Sequence, residues 1–326
     1  MPQSQKDLQP LFSCFIGIDV SKDHLDLVCH GESKAYQFSN SKLGWKKLFS
    51  TFKTPLKNAL VVLEATGGYE KGILSFLLEK SVKLHRADTR KVKFFIRSYG
   101  KFAKTDALDA AHLALYGFER HLSLPLFQLQ HSDLTQLKDL VDRRDELTKM
   151  LVQEKNRLQS PSLSDTIKGS ILAVISLFDD QLRSLSHQIS VLISQNVQLS
   201  QKQTVITTIP GVGPIMSFAL LAYLPELGLL SRRQIASLAG LAPHPKESGS
   251  RIGYRSTAYG GRHPIKSLIH MSALAASRSD SSLGQFYDHL IASGKKPMVA
   301  LTALKRKIVV IANAKIRDSL LLTAST

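Results

Sequence analysis

Residues 14–20 read CFIGIDV, a short run of β-branched and aromatic side chains in which one acid, Asp19, stands near the end. β-Branched and aromatic residues are enriched in strands, so the run predicts a first β-strand. After three polar residues, the alternating sequence HLDLVC at 24–29 predicts a second strand, and the pair is typical of a β-hairpin. The pattern therefore puts a carboxylate close to the carboxyl end of the first predicted strand.

Strands and helices alternate after this hairpin. The predicted elements are strands at 35–38, 59–63 and 82–85 and helices at 42–52 and 69–80. The run ALVVL at 59–63 is continuously apolar, which is typical of a buried strand, and Glu64 follows it directly. A hairpin followed by alternating strands and helices predicts a mixed α/β sheet.

Two apolar repeats with the 3,4 spacing of a heptad occupy the middle of the chain. The first runs over 137–158 and is ended by Pro161, and the second runs over 171–192. Such repeats predict two long amphipathic helices. An intramolecular helical hairpin and an intermolecular coiled coil fit the pattern equally well, because seams of this length serve both.

The last third of the chain predicts a mostly α-helical unit with a basic loop at its centre. It begins with PGVGP at 210–214, which resembles the hairpin of helix-hairpin-helix modules, and it is rich in Gly, Ser and Arg between Ser248 and Lys266. Further helical patterns cover 215–223, 265–278 and 297–317. These changes of composition divide the chain into three predicted domains at 1–128, 129–200 and 201–326.

The charge of the chain indicates a polyanionic partner. Its 326 residues include 43 Lys+Arg and 26 Asp+Glu, for a formal net charge of +17. The three predicted domains carry +7, −1 and +11, so the excess lies at the two ends. Such a surplus attracts nucleic acid through phosphate neutralisation and counterion release. A basic protein without a polyanion partner is the alternative.

Other features narrow the class of protein. No apolar run approaches the roughly 18 residues of a membrane span, so we expect no membrane role. With two cysteines a disulfide framework is improbable, which fits a reducing cytoplasm.

Four acids make up the clearest candidate site. Asp19 and Glu64 end predicted strands, and Asp106 and Asp109, three apart in KTDALDAA, share one face at the start of a predicted helix. Together they offer four hard oxygen donors for Mg²⁺, which polarises phosphate in phosphodiester chemistry. Ordinary capping of a turn or helix is the alternative for each acid taken singly.

A serine and a basic set are the remaining candidates. Ser248, in ESGSR at 247–251, is flanked by glycine and arginine and has the surroundings of a nucleophile that attacks phosphate; a flexible surface loop is the alternative. The glycines of PGVGP allow backbone N–H groups to reach a phosphate. The candidate nucleic-acid-binding residues are Lys22, Lys104, Gly211, Gly213, Arg251, Arg255, Arg262 and Lys266. A solvated basic face is the alternative reading of these cations.

Six motifs occur together in a fixed order. They are GIDVSK, LEATGGY, AKTDALDA, PGVGP, LAGLAP and ESGSR. In this order they resemble the Piv-like DEDD transposases and DNA invertases, the bridge-RNA-guided serine recombinases, and the branch of insertion-sequence transposases in particular. The resemblance extends from about Phe15 to the C-terminal helix that contains KRK at 305–307.

The resemblance implies a fold and a mechanism. It implies an α/β ribonuclease-H-like N-terminal domain of the resolvase type, a helical coiled coil and a C-terminal transposase domain. The four acids would bind Mg²⁺, and Ser248 would form a phosphoserine link with cut DNA. Donor and target DNA would pair with a structured guide RNA on a homodimer that assembles into a tetramer. The setting would be the bacterial cytoplasm, at the nucleoid.

Two rival functions stay open at this point. One is a Holliday-junction-resolvase-like endonuclease that hydrolyses DNA with the four acids and forms no covalent intermediate. The other is a non-catalytic scaffold that binds nucleic acid through the basic C-terminal part.

Overall fold

The structure, a computed structural model, describes residues 12–100, 106–128, 132–245, 255–257 and 260–324. The chain divides into two compact units, residues 1–129 (unit 1) and 130–326 (unit 2). Each unit has a hydrophobic core of its own.

Unit 1 is built on a five-stranded mixed sheet in the order β3-β2-β1-β4-β5. The strands are β1 (Cys14–Val20), β2 (His24–Cys29), β3 (Ala35–Ser39), β4 (Ala59–Glu64) and β5 (Lys83–Ala87). The β1–β2 and β2–β3 pairs are antiparallel, whereas β1–β4 and β4–β5 are parallel. The predicted mixed α/β sheet is confirmed.

Helices cover both faces of this sheet. They are α1 (Lys42–Thr51), α2 (Lys53–Leu56), α3 (Lys71–Glu79), α4 (Thr89–Ser98) and α5 (Asp106–Arg120). Alternate residues of a strand point to opposite faces. Ile16 and Ile18 of β1 therefore pack with α1, α2 and α3, whereas Phe15 packs with α4 and α5.

Unit 2 begins with a helical hairpin made of α6 (Ser132–Leu158) and α7 (Asp165–Gln195). The start of α6 lies beside the end of α7, because Asn196, which follows α7, donates from Nδ2 to Oδ2 of Asp133 at 2.8 Å. Farther along the hairpin, Arg144 donates from Nε to Oγ of Ser186 at 3.0 Å. The two predicted helices thus pair antiparallel within the chain, one of the two arrangements that the repeats allowed.

In the residues that the structure describes, the rest of unit 2 is helical apart from one short hairpin. Its elements are α8 (Val197–Thr207), α9 (Pro214–Tyr223), α10 (Arg232–Leu238), β6 (His244–Pro245), β7 (Arg255–Ser256), α11 (His263–Ser277), α12 (Ser282–Ala292) and α13 (Pro297–Ala324). Helix α9 lies at the centre, since eight of its ten residues are buried. The base of the α6–α7 hairpin contributes Leu137 and Ile189 to the same core. No helix in the described part of the chain is long and apolar enough to cross a membrane.

Local sequence signals set where several helices begin. Ser231 and Gln234 form a reciprocal capping box at the start of α10. Ser41 caps α1, and Asp88 caps α4 by accepting a hydrogen bond from the N–H of Arg90 at 2.8 Å. Pro214 opens α9, where its missing N–H costs nothing.

Candidate active site

The carboxyl ends of β1 and β4 bring two acids to one edge of the sheet. Ile18 pairs with Leu63 in the parallel register, so Asp19 and Glu64 are the next residues on neighbouring strands. Strand alternation puts Asp19 on the face of Gly17 and Glu64 on the face of Val62. Both are half-buried. The two carboxylates therefore share an edge and a face of the sheet.

Helix α5 packs directly on that face. A Cβ atom added at Gly17 would lie 1.9 Å from the carbonyl oxygen of Ala110 and 2.5 Å from the N–H nitrogen of Ala114. Only glycine permits the backbone of α5 to approach β1 so closely. Asp109, next to Ala110, is half-buried on this helix. Asp106 starts the helix, but its side chain lies outside the described residues.

The chemistry of these donors fits a hard divalent cation, since all are carboxylate oxygens. Among the described side chains, however, no group of three or more His, Cys, Asp or Glu residues lies close enough to hold a metal ion. Asp19 and Glu64, with Asp109 on the helix that packs over their face of the sheet, therefore do not close a metal site by themselves.

A buried acid beside this edge, Glu70, was missed by sequence reasoning. It is fully buried and lies just before α3. Its Oε2 accepts hydrogen bonds from the N–H groups of Thr66 at 3.1 Å and Gly68 at 3.0 Å. Its Oε1 accepts from Nε and Nη2 of Arg86 on β5, at 3.1 and 2.6 Å. Burial by itself raises the pKa of Glu70, but hydrogen bonds to the backbone and Arg86 outweigh it and lower the pKa.

These contacts fix the turn that follows Glu64. Gly67 and Gly68 have φ of +60° and +101°, a left-handed conformation that favours glycine. Thr66 donates from Oγ1 to the carbonyl of Glu64 at 3.2 Å. Glu70 thus ties the turn to β5 and holds the end of β4 in place. Its signal was present in LEATGGYE, but its partner Arg86 is distant in sequence and cannot be identified from spacing.

The loop predicted to carry the nucleophile lies between β6 and β7. His244 pairs with Ser256 and Pro245 with Arg255, so this antiparallel pair closes the loop. Ser248 itself lies outside the described residues, as do Lys104 and Arg251. Arg255 is described only in its backbone, within β7.

The remaining candidate cations have different surroundings. Lys22 is exposed in the turn between β1 and β2. Arg262 makes a bidentate ion pair with Glu226, at 2.7 and 2.6 Å. Lys266 donates from Nζ to the carbonyl of Thr257 at 2.7 Å. Two of the described cations are therefore already held by protein groups, and their role toward nucleic acid stays a prediction.

The two glycines of PGVGP differ in the same way. Gly211 has φ of +82°, and a Cβ there would lie 2.3 Å from the carbonyl oxygen of Ser272, so its first role is close packing on α11. Gly213 precedes α9 and has open space where its Cβ would be. A backbone N–H contact of either glycine with a phosphate stays a prediction.

Relatives of the chain are found over most of its length. Residues 16–165 match a DEDD model of the IS110 type described as a transposase, and residues 203–288 match the model for the transposase IS116/IS110/IS902 family. The pilin gene-inverting protein of Moraxella bovis is 27% identical over 313 residues, which cover 94% of this chain and 96% of that protein. Its counterpart in Moraxella lacunata matches equally well.

Insertion elements supply shorter matches. An uncharacterized 43.6 kDa protein of insertion element IS110 from Streptomyces coelicolor is 30% identical over 155 residues, which cover 47% of this chain and 37% of that protein. The two family models together reach into both compact units, and the resemblance expected from the motifs is confirmed. The chain therefore belongs to the DEDD transposases of the IS110/IS116/IS902 family, and it is similar to pilin gene-inverting proteins over most of its length.

Proposed function

We propose that this protein is an RNA-guided insertion-sequence transposase that cuts and rejoins DNA strands, with unit 1 as a ribonuclease-H-like nuclease domain of the resolvase type. One observation carries the proposal. Asp19 and Glu64 lie at the carboxyl ends of neighbouring parallel strands on the same face of the sheet, and α5, which carries Asp106 and Asp109, packs on that face. Membership of a DEDD transposase family supports the same assignment.

In this proposal Asp19, Glu64, Asp106 and Asp109 hold Mg²⁺. The ion, when bound, supplies Lewis-acid polarisation of the scissile phosphate. The chain's own contribution is to gather negative charge at the end of the sheet. Glu70 and Arg86 hold the turn after Glu64 so that its carboxylate keeps one position.

Ser248 is the proposed nucleophile. Its Oγ forms a bond to the scissile phosphorus while the bond from phosphorus to the sugar oxygen of the neighbouring nucleotide breaks. The serine proton passes to a base, and the leaving sugar oxygen takes up a proton. The phosphoserine link conserves the energy of the broken bond, so the strand can be rejoined to a new hydroxyl without another energy source.

The proposed partners are donor DNA, target DNA and a structured guide RNA, bound by a homodimer that assembles into a tetramer at the nucleoid. The excess of positive charge at both ends of the sequence supports nucleic-acid binding. In a guided reaction base pairing selects the sequence, whereas protein contacts read shape and backbone. The nucleic-acid contacts are proposed for Lys22, Lys104, Gly211, Gly213, Arg251, Arg255, Arg262 and Lys266.

Trapping of a covalent adduct tests this function. Purified protein, the RNA encoded beside the gene, Mg²⁺ and labelled DNA are expected to give a protease-sensitive protein–DNA adduct. Ser248→Ala should abolish the adduct, whereas Ser250→Ala, two residues along the same loop, should retain it. Glu64→Gln should abolish both adduct and cleavage.

Three results would contradict the proposal. Adducts that persist in Ser248→Ala would remove the serine from the reaction. Cut DNA with free 5′-phosphate ends and no adduct would favour the hydrolysing endonuclease. Full function in Glu64→Gln would favour the non-catalytic scaffold.

A further inference from the structure

Helix α4 presents one stripe of exposed side chains that the proposed chemistry does not use. Arg90, Lys93, Phe94 and Arg97 follow the i, i+3, i+4, i+7 spacing, so they share one face of the helix. All four are exposed, and Phe94 is 69% exposed. The opposite face is in the core, where Val92 and Phe95 are 5% and 7% exposed. We call the four residues the α4 stripe.

Only one acid, Asp88, partly neutralises the positive charge of the α4 stripe among the described ion pairs. Helix α4 contains four cations and no acid. Arg90 faces the cap residue Asp88 at 3.8 Å from Nε to Oδ1, but both side chains are largely exposed, so the pair is weak. Within the described part of the chain, Lys93 and Arg97 have no ion-pair partner. The stripe therefore offers a row of cations to a ligand in solution.

The exposed ring of Phe94 lies among these cations. The helix thus presents an aromatic face and positive charge side by side to the solvent. Nucleic-acid bases stack on such rings, and phosphates bind such cations. A duplex hides the faces of its bases in the stack, so only an unpaired strand can offer both groups at once.

The stripe leads away from the edge that carries Glu64. Glu64 pairs with Ala87 at the end of β5, and α4 begins two residues later. A cleft of about 380 Å³ lies at this point between the ends of β4 and β5. Its lining includes Arg86, which is paired with Glu70, and the weakly paired Asp88 and Arg90. From Arg90 to Arg97 the helix rises about 10 Å, the length of about three stacked nucleotides.

We propose that the α4 stripe binds an unpaired nucleic-acid strand, with its cations on the phosphates and Phe94 stacked on a base. The proposal rests on the proposed function in one respect, since the strand would lead into the cleft beside Glu64. The chemistry is the same for DNA and RNA, and the binding assay separates them.

The test is fluorescence anisotropy with the full chain in EDTA, using labelled oligo(dT), oligo(U) and a DNA duplex of equal length. At 0.1 M salt each phosphate contact with a single strand contributes about fivefold in affinity, so the double change Lys93→Ala/Arg97→Ala should weaken single-strand binding about 25-fold. The slope of log affinity against log salt should fall by about 1.4. The matched control is Lys46→Ala/Lys47→Ala, two exposed lysines of α1 on the other face of the sheet, which should change affinity less than twofold.

Phe94→Ala tests the stacking. It should weaken binding of the unpaired strand roughly tenfold and leave duplex binding unchanged, whereas Phe94→Trp should retain both. Equal weakening of single strand and duplex would overturn the proposal, as would a double variant that behaves like its α1 control. A change in oligomeric state on Phe94→Ala with unchanged binding would show that the ring contacts protein and would also overturn it.

Failure here is distinct from failure of the proposed function. The binding assay requires neither metal nor cleavage, so Lys93→Ala/Arg97→Ala should weaken single-strand binding in EDTA whether or not the protein cuts DNA. If Lys93→Ala/Arg97→Ala leaves single-strand binding unchanged while the adduct still forms, only the proposal for the α4 stripe is refuted. If the double change weakens binding as expected but no adduct forms, only the proposed function is refuted.

Discussion

Glu70→Gln is the substitution that most sharply tests how the acidic edge is held in place. The amide keeps the size and shape of the buried side chain, so packing is unchanged. One of its two oxygens is replaced by an NH₂ group, which faces either the donors Thr66 and Gly68 or the donor Arg86. Two hydrogen bonds are then lost, and the two N–H groups that donated them face the new NH₂ group, which is also a donor.

The size of the effect follows from these contacts. A buried donor left without a partner costs about 1–3 kcal/mol. Arg86 is 42% exposed and can donate to water instead. The loss of stability is therefore smaller if the NH₂ group faces Arg86 than if it faces Thr66 and Gly68. We therefore expect unit 1 to lose about 2–4 kcal/mol, which corresponds to a fall in Tm of about 10 °C for a unit of this size.

Fluorescence of the single tryptophan provides the assay. Trp45 lies on α1 of unit 1 and donates from Nε1 to Oδ1 of Asn40 at 2.9 Å, so its emission reports the unfolding of this unit. Asn40 in turn donates to the carbonyl of Tyr69 at 3.2 Å, next to Glu70. Glu79→Gln, an exposed acid at the end of α3, is the matched control and should leave Tm unchanged.

The dependence on pH adds a second readout. The folded state lowers the pKa of Glu70, so its contribution to stability is present above the ordinary pKa of about 4.3 and is lost as pH falls through the lowered folded-state pKa. The difference in Tm between wild type and Glu70→Gln should therefore be large at neutral pH and shrink in acid. A difference under about 1 °C at neutral pH, or one of constant size into acid, would refute this account of Glu70.

Two further substitutions test other contacts of the structure. Gly17→Ala puts a methyl group 1.9 Å from the carbonyl oxygen of Ala110 and should cost about 3 kcal/mol or more while displacing α5; Gly169→Ala, in α7 with open space around it, should instead stabilise by about 0.5–1 kcal/mol. Circular dichroism melting of both variants checks the pair, and equal effects would contradict the packing of α5 on β1. Tyr223→Phe removes the 2.6 Å hydrogen bond from the buried phenol of α9 to Oδ1 of Asp142 on α6. It should destabilise unit 2 by about 1.5 kcal/mol, as measured by circular dichroism melting. An unchanged melting curve would show that this bond does not stabilise the contact between α9 and the α6–α7 hairpin.

Local patterns were sufficient to predict the five strands of unit 1 and the long helices, but not the short strands β6 and β7. The predicted ranges for β1 and β2 are those of the structure, and the apolar run at 59–63 is β4 without its last residue. In the motif GID, the glycine has a structural role beside the acid. Gly17 lets α5 approach β1, and this role can be recognised only when the position of α5 is known.

Interactions between distant segments were beyond the reach of sequence patterns. A heptad repeat does not identify its partner helix, and the contact between Arg144 and Ser186 resolves the pairing within the chain. Helix α4 was not predicted, because its buried positions at 92 and 95 and the half-buried position 96 are interleaved with cations in only ten residues. Glu70 was missed since burial of an acid depends on Arg86, which another strand supplies.

The central claim is that acids at the joined ends of β1 and β4 form one metal-dependent site for cutting DNA. The rate of strand cleavage, measured against Mg²⁺ concentration for Glu64→Gln beside Glu79→Gln, tests it most directly. We predict that Glu64→Gln lowers the saturating rate more than about 100-fold with an unchanged Tm, while Glu79→Gln cuts at the wild-type rate. Cleavage by Glu64→Gln with the wild-type rate and the wild-type Mg²⁺ dependence would contradict the claim.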